Sequence, residues 1–192
     1  MMASLRIEPL STANRVEVAW AEAHPVVRRA VIAACVTAGA LSNAVQAPTP
    51  ARWGLVIAGA MLAVAAMVDL REHKLPNRLL AVACYAALLG VLVSSQLATF
   101  ESAVAGMVLA GGLMLAVRLT RGVGMGDVKM AAVVGASVGA VSVMAAPVAV
   151  AVAAFTAALY GVLARRQRLP LGPVLWLGWA VSLGMCAAGW LS

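Results

Sequence analysis

The sequence has few of the residues that metal, disulfide and redox sites require. Its 192 residues include three cysteines, with no C-x-x-C pair, and two histidines, His24 and His73, that lie far apart in the chain. This number and spacing exclude a paired-cysteine zinc site and a disulfide framework, so we expect no metal and no cofactor. A nucleotide-binding loop, a nucleophilic serine constellation and a haem-type ligand pair are absent as well.

Charged residues are also scarce, at 11% of the chain, whereas hydrophobic residues make up 64%. The mean hydropathy is +0.97, far above that of a soluble domain, which is roughly half apolar. The apolar residues form long runs separated by short polar clusters, a pattern typical of membrane-spanning helices. The sequence therefore predicts an all-α, polytopic helical bundle in a membrane.

The apolar runs define six predicted spans, which together form a core domain over residues 53–192. They cover residues 53–70, 79–98, 101–119, 128–142, 147–164 and 173–191. A weaker run over residues 30–47, interrupted by Asn43 and Gln46, predicts an extra N-terminal span. Residues 1–29 are predicted to form a polar cytoplasmic segment. Four tryptophans near span ends are predicted to be interfacial anchors: Trp53, Trp176, Trp179 and Trp190.

The net charge of +7 would suggest nucleic-acid binding in a soluble protein. When the N-terminus is placed in the cytoplasm, the arginines and lysines between the spans fall on the cytoplasmic side, and only Arg52 falls outside. This distribution follows the positive-inside rule. It explains the basic charge without nucleic acid, and it predicts contact with anionic lipid at the membrane surface.

Asp69 and Asp127 are the only aspartates in the chain. Asp69 is predicted at the C-terminal end of one span and Asp127 at the N-terminal start of another, which places both at one depth on the cytoplasmic side. Ionisable residues at membrane depth are costly, so both are functional candidates. Two carboxylates in a partly desolvated cleft share a proton, and one can then act as base and the other as acid. The helix N-terminus favours Asp127 as the charged member, and the helix C-terminus favours Asp69 as the protonated one.

The cytoplasmic loop after Asp69 reads D-L-R-E-H-K-L-P-N-R over residues 69–78. Pro76 is predicted to fix a turn before the next helix, and Asn77 to cap that helix. His73 is predicted to be a solvent-facing loop residue rather than a catalytic base.

The second cytoplasmic loop reads R-G-V-G-M-G-D-V-K over residues 121–129. Gly124 and Gly126 are predicted to adopt backbone torsions that other residues avoid, and to leave room for a substrate strand beside Asp127. Lys129 has three alternative roles: pairing with a carboxylate, binding a lipid phosphate, or facing lipid.

These two loops resemble the signature motifs of the type IV prepilin peptidases, a group of GxGD-type aspartyl proteases that also includes archaeal preflagellin peptidases. The matching stretches are D-L-R-E-H-K-L-P-N (69–77) and G-M-G-D-V-K (124–129). A third stretch, L-P-L-G-P-V-L-W-L-G (169–178), is similar to the I-P-F-G-P segment of the family, with Leu171 where a phenylalanine is common. The resemblance covers residues 53–192.

The resemblance implies a peptidase that cuts the short basic leader of type IV prepilin-like, pseudopilin or Flp/Tad precursors. The cut would be made on the cytoplasmic side of a prokaryotic cytoplasmic membrane, with Asp69 and Asp127 as the catalytic residues. The surrounding motif residues form the predicted active-site loops: Gly124, Gly126, Lys129, Pro76 and Asn77. Many bacterial relatives carry an additional C-x-x-C domain associated with N-methylation. This sequence has none, which predicts a peptidase-only form.

Three residues are candidate substrate contacts. Glu72 is the only acidic residue, apart from the aspartates, in the cytoplasmic loops of the bundle, and it could attract a basic leader. The alternative is a solvated Glu72 paired with a neighbouring lysine or arginine. Gly172 and Pro173, in the third motif, are the other two candidates.

Other functions are compatible with two membrane aspartates. A presenilin-like protease also uses a G-x-G-D motif, but it carries P-A-L near its C-terminus where this chain has L-P-L-G-P. A transporter with a proton relay would place its aspartates near the bilayer midplane on broken helices, whereas these are predicted at one edge. A catalytically silent pilus-assembly partner is not distinguished by sequence.

Overall fold

The structure is a computed structural model that describes residues 25–45, 47, 49–120, 123–164 and 170–191. His24, Gln46 and most of the predicted polar segment 1–29 lie outside these residues. The described part of the chain forms seven α-helices and no strand, which confirms the predicted all-α bundle. The helices are α1 (Pro25–Ala44), α2 (Thr49–Glu72), α3 (Asn77–Val93), α4 (Leu97–Leu119), α5 (Met125–Gly139), α6 (Ala145–Ala164) and α7 (Gly172–Ala187).

Among the described residues, three helices are long and apolar enough to cross a membrane: α2, α4 and residues Ala145–Leu163 of α6. Helices α3 and α7 and the Ile32–Ala44 part of α1 are apolar but shorter. These lengths and compositions are those of an integral membrane protein. Helix α1 corresponds to the predicted N-terminal span, and it packs against α2 and α7.

Helices α2 and α3 pack in opposite directions, and so do helices α4 and α5. At one end of the bundle the start of α2 packs against the end of α3. The two helices are so close there that a Cβ on Gly90 would lie 2.7 Å from the carbonyl oxygen of Pro50. At that same level the end of α5 meets the start of α4, where a Cβ on Gly139 would lie 2.9 Å from the carbonyl oxygen of Ser102. The end of α2 and the starts of α3 and α5 therefore lie together at the opposite end, which we call the aspartate end.

Helices α4 and α5 form the closest helix pair. A Cβ on Gly106 would overlap the carbonyl oxygen of Gly135, and a Cβ on Gly135 would overlap the carbonyl oxygen of Gly106. Small residues allow this approach, which favours helix packing in lipid, where there is little hydrophobic driving force between helices. The seam fixes the position of α5, which carries Asp127.

Helix α7 is held in the centre of the bundle by a buried tryptophan. Trp179 is fully buried, and its Nε1 donates a hydrogen bond to Ser137 Oγ in α5 at 2.9 Å. The prediction that Trp179 is an interfacial anchor is therefore wrong. It lies about two turns into α7, on the face that packs against α5, whereas Trp53 and Trp190 are exposed.

Trp176 is likewise bound within the bundle. It is part-buried, and its Nε1 donates to the carbonyl oxygen of Gly59 in α2 at 3.2 Å. Both indole N–H groups thus find acceptors on neighbouring helices, as buried tryptophans generally do. Together they bind α7 to α2 and α5, the two helices that carry the aspartates.

Candidate active site

Asp69 lies in the last turn of α2 and is only 5% exposed. Its Oδ2 accepts a hydrogen bond from the backbone N–H of Gly172 at 2.9 Å. Gly172 is the first residue of α7, and a Cβ there would lie 2.9 Å from Asp69 Oδ2 and 3.2 Å from Ala66 Cα. The glycine therefore allows the N-terminus of α7 to reach the carboxylate.

The loop after Asp69 reverses the chain within a few residues. His73 donates its backbone N–H to the carbonyl oxygen of Asp69 at 2.9 Å and has a φ of 51°, a left-handed conformation that often ends a helix. Its side chain is exposed. Pro76 then has an extended backbone, with φ −74° and ψ 112°, and serves as the N-cap of α3.

The prediction that Asn77 caps α3 is wrong. Because Pro76 takes the N-cap position, Asn77 is the first helical residue, and the N-cap makes no side-chain hydrogen bond. Asn77 Oδ1 instead accepts a hydrogen bond from Lys129 Nζ at 3.1 Å. This bond joins the start of α3 to α5, and so links the two predicted active-site loops.

Asp127 lies in the first turn of α5, immediately before the predicted span at 128–142. Its Oδ2 accepts a hydrogen bond from the backbone N–H of Gly124, the N-cap residue, at 3.1 Å. A carboxylate at this position also stabilises the helix start. The hydrogen bond from Gly124 would by itself be explained by helix capping. A second aspartate near Asp127 is not required for capping, and Asp69 therefore distinguishes this site from an ordinary helix start.

The predicted special torsions of Gly124 and Gly126 are not observed. Gly124 has an ordinary extended backbone, with φ −75° and ψ 158°, and Gly189 is the only described glycine with positive φ. Glycine is favoured at these two positions because a side chain would be too close to neighbouring atoms. A Cβ on Gly124 would lie 3.1 Å from Asp127 Oδ2, and one on Gly126 would lie 3.2 Å from Leu75 Cβ. The second loop therefore packs directly against the first.

The two aspartates interact electrostatically. Burial raises the pKa of Asp127 above the ordinary aspartate value, the hydrogen bond from Gly124 opposes this rise, and the negative charge of Asp69 raises the pKa further. A charge effect of this kind requires the two carboxylates to be near each other. The chain's two aspartates thus lie near each other at one end of the bundle, in a partly desolvated setting.

Sequence reasoning missed the donor to Asp69. Asp69 lies at the C-terminal end of its own helix, which favours the protonated form, but it also lies at the N-terminus of α7, which favours the charged form. Each aspartate therefore receives an N–H from a glycine at a helix start. The residue that could have revealed this is Gly172 itself, in the third motif. The assignment of Asp69 as the acid and Asp127 as the base stays a prediction.

The remaining predicted site residues lie around this pair. Glu72, the last residue of α2, is exposed, and Pro173 is partly buried in the first turn of α7. Gly172 is buried, and its N–H is already bound to Asp69. The substrate contacts predicted for these three residues stay predictions. In the described ranges no group of three or more His, Cys, Asp and Glu side chains could hold a metal ion.

The model of the type IV leader peptidase family matches residues 56–162, which is more than half of the chain. The chain belongs to the type IV leader peptidase family. This confirms the family resemblance drawn from the motifs. The match begins within α2 and ends within α6, so it includes both aspartates but neither α1 nor the Gly172 donor. No curated protein and no solved structure matched the chain.

Membership of this leader peptidase family makes the protein a membrane protease of the prepilin peptidase kind in general terms. The described geometry suits such chemistry, because two neighbouring carboxylates can hold one proton between them. Among the described residues, the hydrogen bonds to the two carboxylates all engage Oδ2. The Oδ1 atoms are therefore the ones suited to bind water or a peptide group.

Proposed function

We propose that this protein is an aspartic endopeptidase that cleaves the basic leader of type IV prepilin-like, Flp/Tad or pseudopilin precursors. Cleavage takes place at the cytoplasmic face of a prokaryotic cytoplasmic membrane, and Asp69 and Asp127 are the catalytic residues. The observation that carries the proposal is that the chain's only two aspartates lie at the same end of the bundle, at the end of α2 and the start of α5. The negative charge of Asp69 raises the pKa of Asp127, which agrees with this placement. The membership of the leader peptidase family supports it.

In the proposed mechanism the ionised carboxylate takes a proton from a water molecule as the water attacks the scissile carbonyl carbon. The protonated carboxylate donates to the carbonyl oxygen, and a proton then passes to the leaving amine as the C–N bond breaks. Asp127 is assigned as the base and Asp69 as the acid. The glycine N–H groups of α5 and α7 hold one oxygen of each side chain, so the other oxygen can turn toward the reaction.

The exposed charges at the aspartate end affect how a basic leader can bind. Arg71, Lys74 and Arg78 are exposed near the first loop and would repel a basic leader. Glu72 lies among them and is exposed, so it is a candidate partner for a leader lysine or arginine. If Glu72 makes this contact, Glu72→Gln raises KM for a precursor with a basic leader and leaves kcat unchanged. An unchanged KM would remove Glu72 from the proposal.

The experiment that tests the proposal is co-expression with a prepilin-like precursor from the same genome. The proteins compared are the wild type, Asp69→Asn, Asp127→Asn and the control Glu101→Gln. Glu101 is exposed near the start of α4, at the end of the bundle away from the aspartates. We expect uncleaved precursor to persist with both aspartate variants and mature protein to appear with the control. Processing of the precursor by either aspartate variant, when the variant is present in the membrane in the same amount as the wild type, would contradict the two-aspartate mechanism.

The proton-relay alternative has less support than the peptidase. Asp69 and Asp127 occupy the last and first turns of intact helices, whereas a relay of the predicted kind would sit on helices broken near the midplane. Purified protein in vesicles would separate the two functions. Cleavage of precursor without proton flux supports the peptidase, and proton flux lost in both asparagine variants supports the relay.

A further inference from the structure

A groove of about 420 Å³ opens on the surface between α3, α4 and α5. Its walls are mainly apolar and include Leu80, Cys84, Met107 and Val133. The groove exists because α4 packs closely along α5, while α3 touches α4 only sparsely. In a membrane-embedded bundle, a surface opening of this kind faces the lipid.

One end of the groove is cationic. Lys129 and Asn77 line this end, where Lys129 Nζ donates to Asn77 Oδ1 at 3.1 Å. An ammonium group has three donors, and this neutral acceptor uses one of them. Within the described ranges no carboxylate pairs with Lys129, which is exposed. The groove therefore combines an unneutralised positive charge with a long apolar wall.

The groove is not on the same side of α5 as the aspartates. Lys129 follows Asp127 by two residues, so its side chain leaves the helix roughly 200° around the axis from that carboxylate. A peptide bound for cleavage must reach the aspartates. A ligand in the groove lies on the other side of the helix, which argues against the scissile segment as its occupant.

We propose that this groove binds one anionic phospholipid. The lipid phosphate lies against the Lys129 ammonium, and one acyl chain lies along the apolar wall formed by α3, α4 and α5. The charge and the apolar surface match the two parts of such a lipid, and basic sites between membrane helices are suited to anionic head groups. The bound lipid bridges the helices that follow the two aspartate loops, and its binding does not depend on the proposed peptidase activity.

The test measures lipid binding to the full chain in nanodiscs of phosphatidylcholine that contain a small fraction of phosphatidylglycerol. Native mass spectrometry counts the retained lipid molecules. We expect one retained phosphatidylglycerol in the wild type. Lys129→Gln weakens its apparent affinity about fivefold, the effect of one juxtamembrane cation. Ala81→Leu narrows the groove without touching the charge, and it also weakens retention, because Ala81 lines the groove and is exposed.

Two matched controls lie outside the groove. Arg118→Gln removes a cation from the same end of the bundle, and Ala116→Leu adds the same bulk to an exposed position on α4. Neither should change retention. Equal retention by all variants, or equal loss with Arg118→Gln, would overturn the proposal in favour of general surface attraction. Displacement of the lipid by an added precursor would overturn it in favour of the substrate's apolar helix.

Discussion

Replacement of Gly172 by alanine tests how the last helix supports Asp69. The added Cβ would lie 2.9 Å from Asp69 Oδ2, 3.1 Å from Asp69 Cβ and 3.2 Å from Ala66 Cα. Two of these contacts are with the body of α2 and one is with the carboxylate, so either α7 must move away or the aspartate must rotate. Both responses lengthen the 2.9 Å hydrogen bond from the Gly172 N–H.

The size of the effect follows from the bond that is lost. Asp69 becomes ionised as it donates its proton, and a hydrogen bond to a charged group contributes about 1.5–3 kcal/mol. This corresponds to a decrease in kcat of about 10- to 100-fold if the bond holds Asp69 in its reactive position. Crowding in the packed helix interface adds a stability cost of about 1–3 kcal/mol. The assay is cleavage of purified precursor, with kcat and KM measured well below the melting temperature of each variant.

The control is Gly184→Ala on the same helix, where the nearest atom to an added Cβ is Leu41 Cδ2 at 3.7 Å, an ordinary contact. It should match the wild type in both rate and melting temperature. Gly124→Ala should have a smaller effect, because Gly124 is exposed and the only close contact of an added Cβ among the described residues is Asp127 Oδ2 at 3.1 Å. A folded Gly172→Ala protein that cleaves at the wild-type rate would refute the idea that α7 positions Asp69.

Three further predictions concern packing and charge. Gly106→Ala should lower the unfolding free energy by about 1–3 kcal/mol, because the added methyl overlaps a carbonyl of α5, while Gly112→Ala should not, since nothing lies within 4 Å of its Cβ position. Ser137→Ala leaves a buried indole N–H without its acceptor and should cost about 1–3 kcal/mol in thermal unfolding. Asp69→Asn should lower the pKa of Asp127, read from its carboxyl infrared band, because the neighbouring negative charge is removed, while burial keeps it above the ordinary value.

Two of these predictions, on the glycine pair and on Asp69→Asn, have an opposite outcome that would count against them. Equal melting temperatures for Gly106→Ala and Gly112→Ala would mean that α4 and α5 can move apart enough to accommodate the added methyl group. An unchanged or higher pKa of Asp127 in Asp69→Asn would mean that the carboxylates do not interact.

Since the folded pKa of Asp127 is raised, its contribution to stability is present below the ordinary aspartate pKa and is lost as pH rises through the raised value.

The helices could be predicted because long apolar runs and polar breaks appear directly in the sequence. Each predicted span has a matching helix, and both aspartates lie at the helix ends where the runs stop. The packing faces could not be predicted in this way. Helices of a membrane bundle are apolar on most sides, so periodicity does not separate the core from the lipid. For this reason the sequence predicts an interfacial anchor at Trp179, which is fully buried in the structure.

The finer structure of the site depends on contacts between distant parts of the chain. The sequence predicts unusual torsions at the motif glycines, whereas the structure explains these glycines by the closeness of Asp127 to Gly124 and of Leu75 to Gly126. The type and position of Asn77 predict a helix cap, but the preceding residue, Pro76, occupies the N-cap position. No local pattern could show that Asn77 would bind Lys129 instead.

The bond between Asp69 and Gly172 has a consequence for biogenesis. Asp69 is synthesised early, in α2, and its donor is the first residue of α7, the last described helix of the chain. Until α7 has been inserted beside α2 and α5, the carboxylate lacks this partner. The nascent protein therefore completes its candidate active site only once α7 has been synthesised, later than the six other described helices.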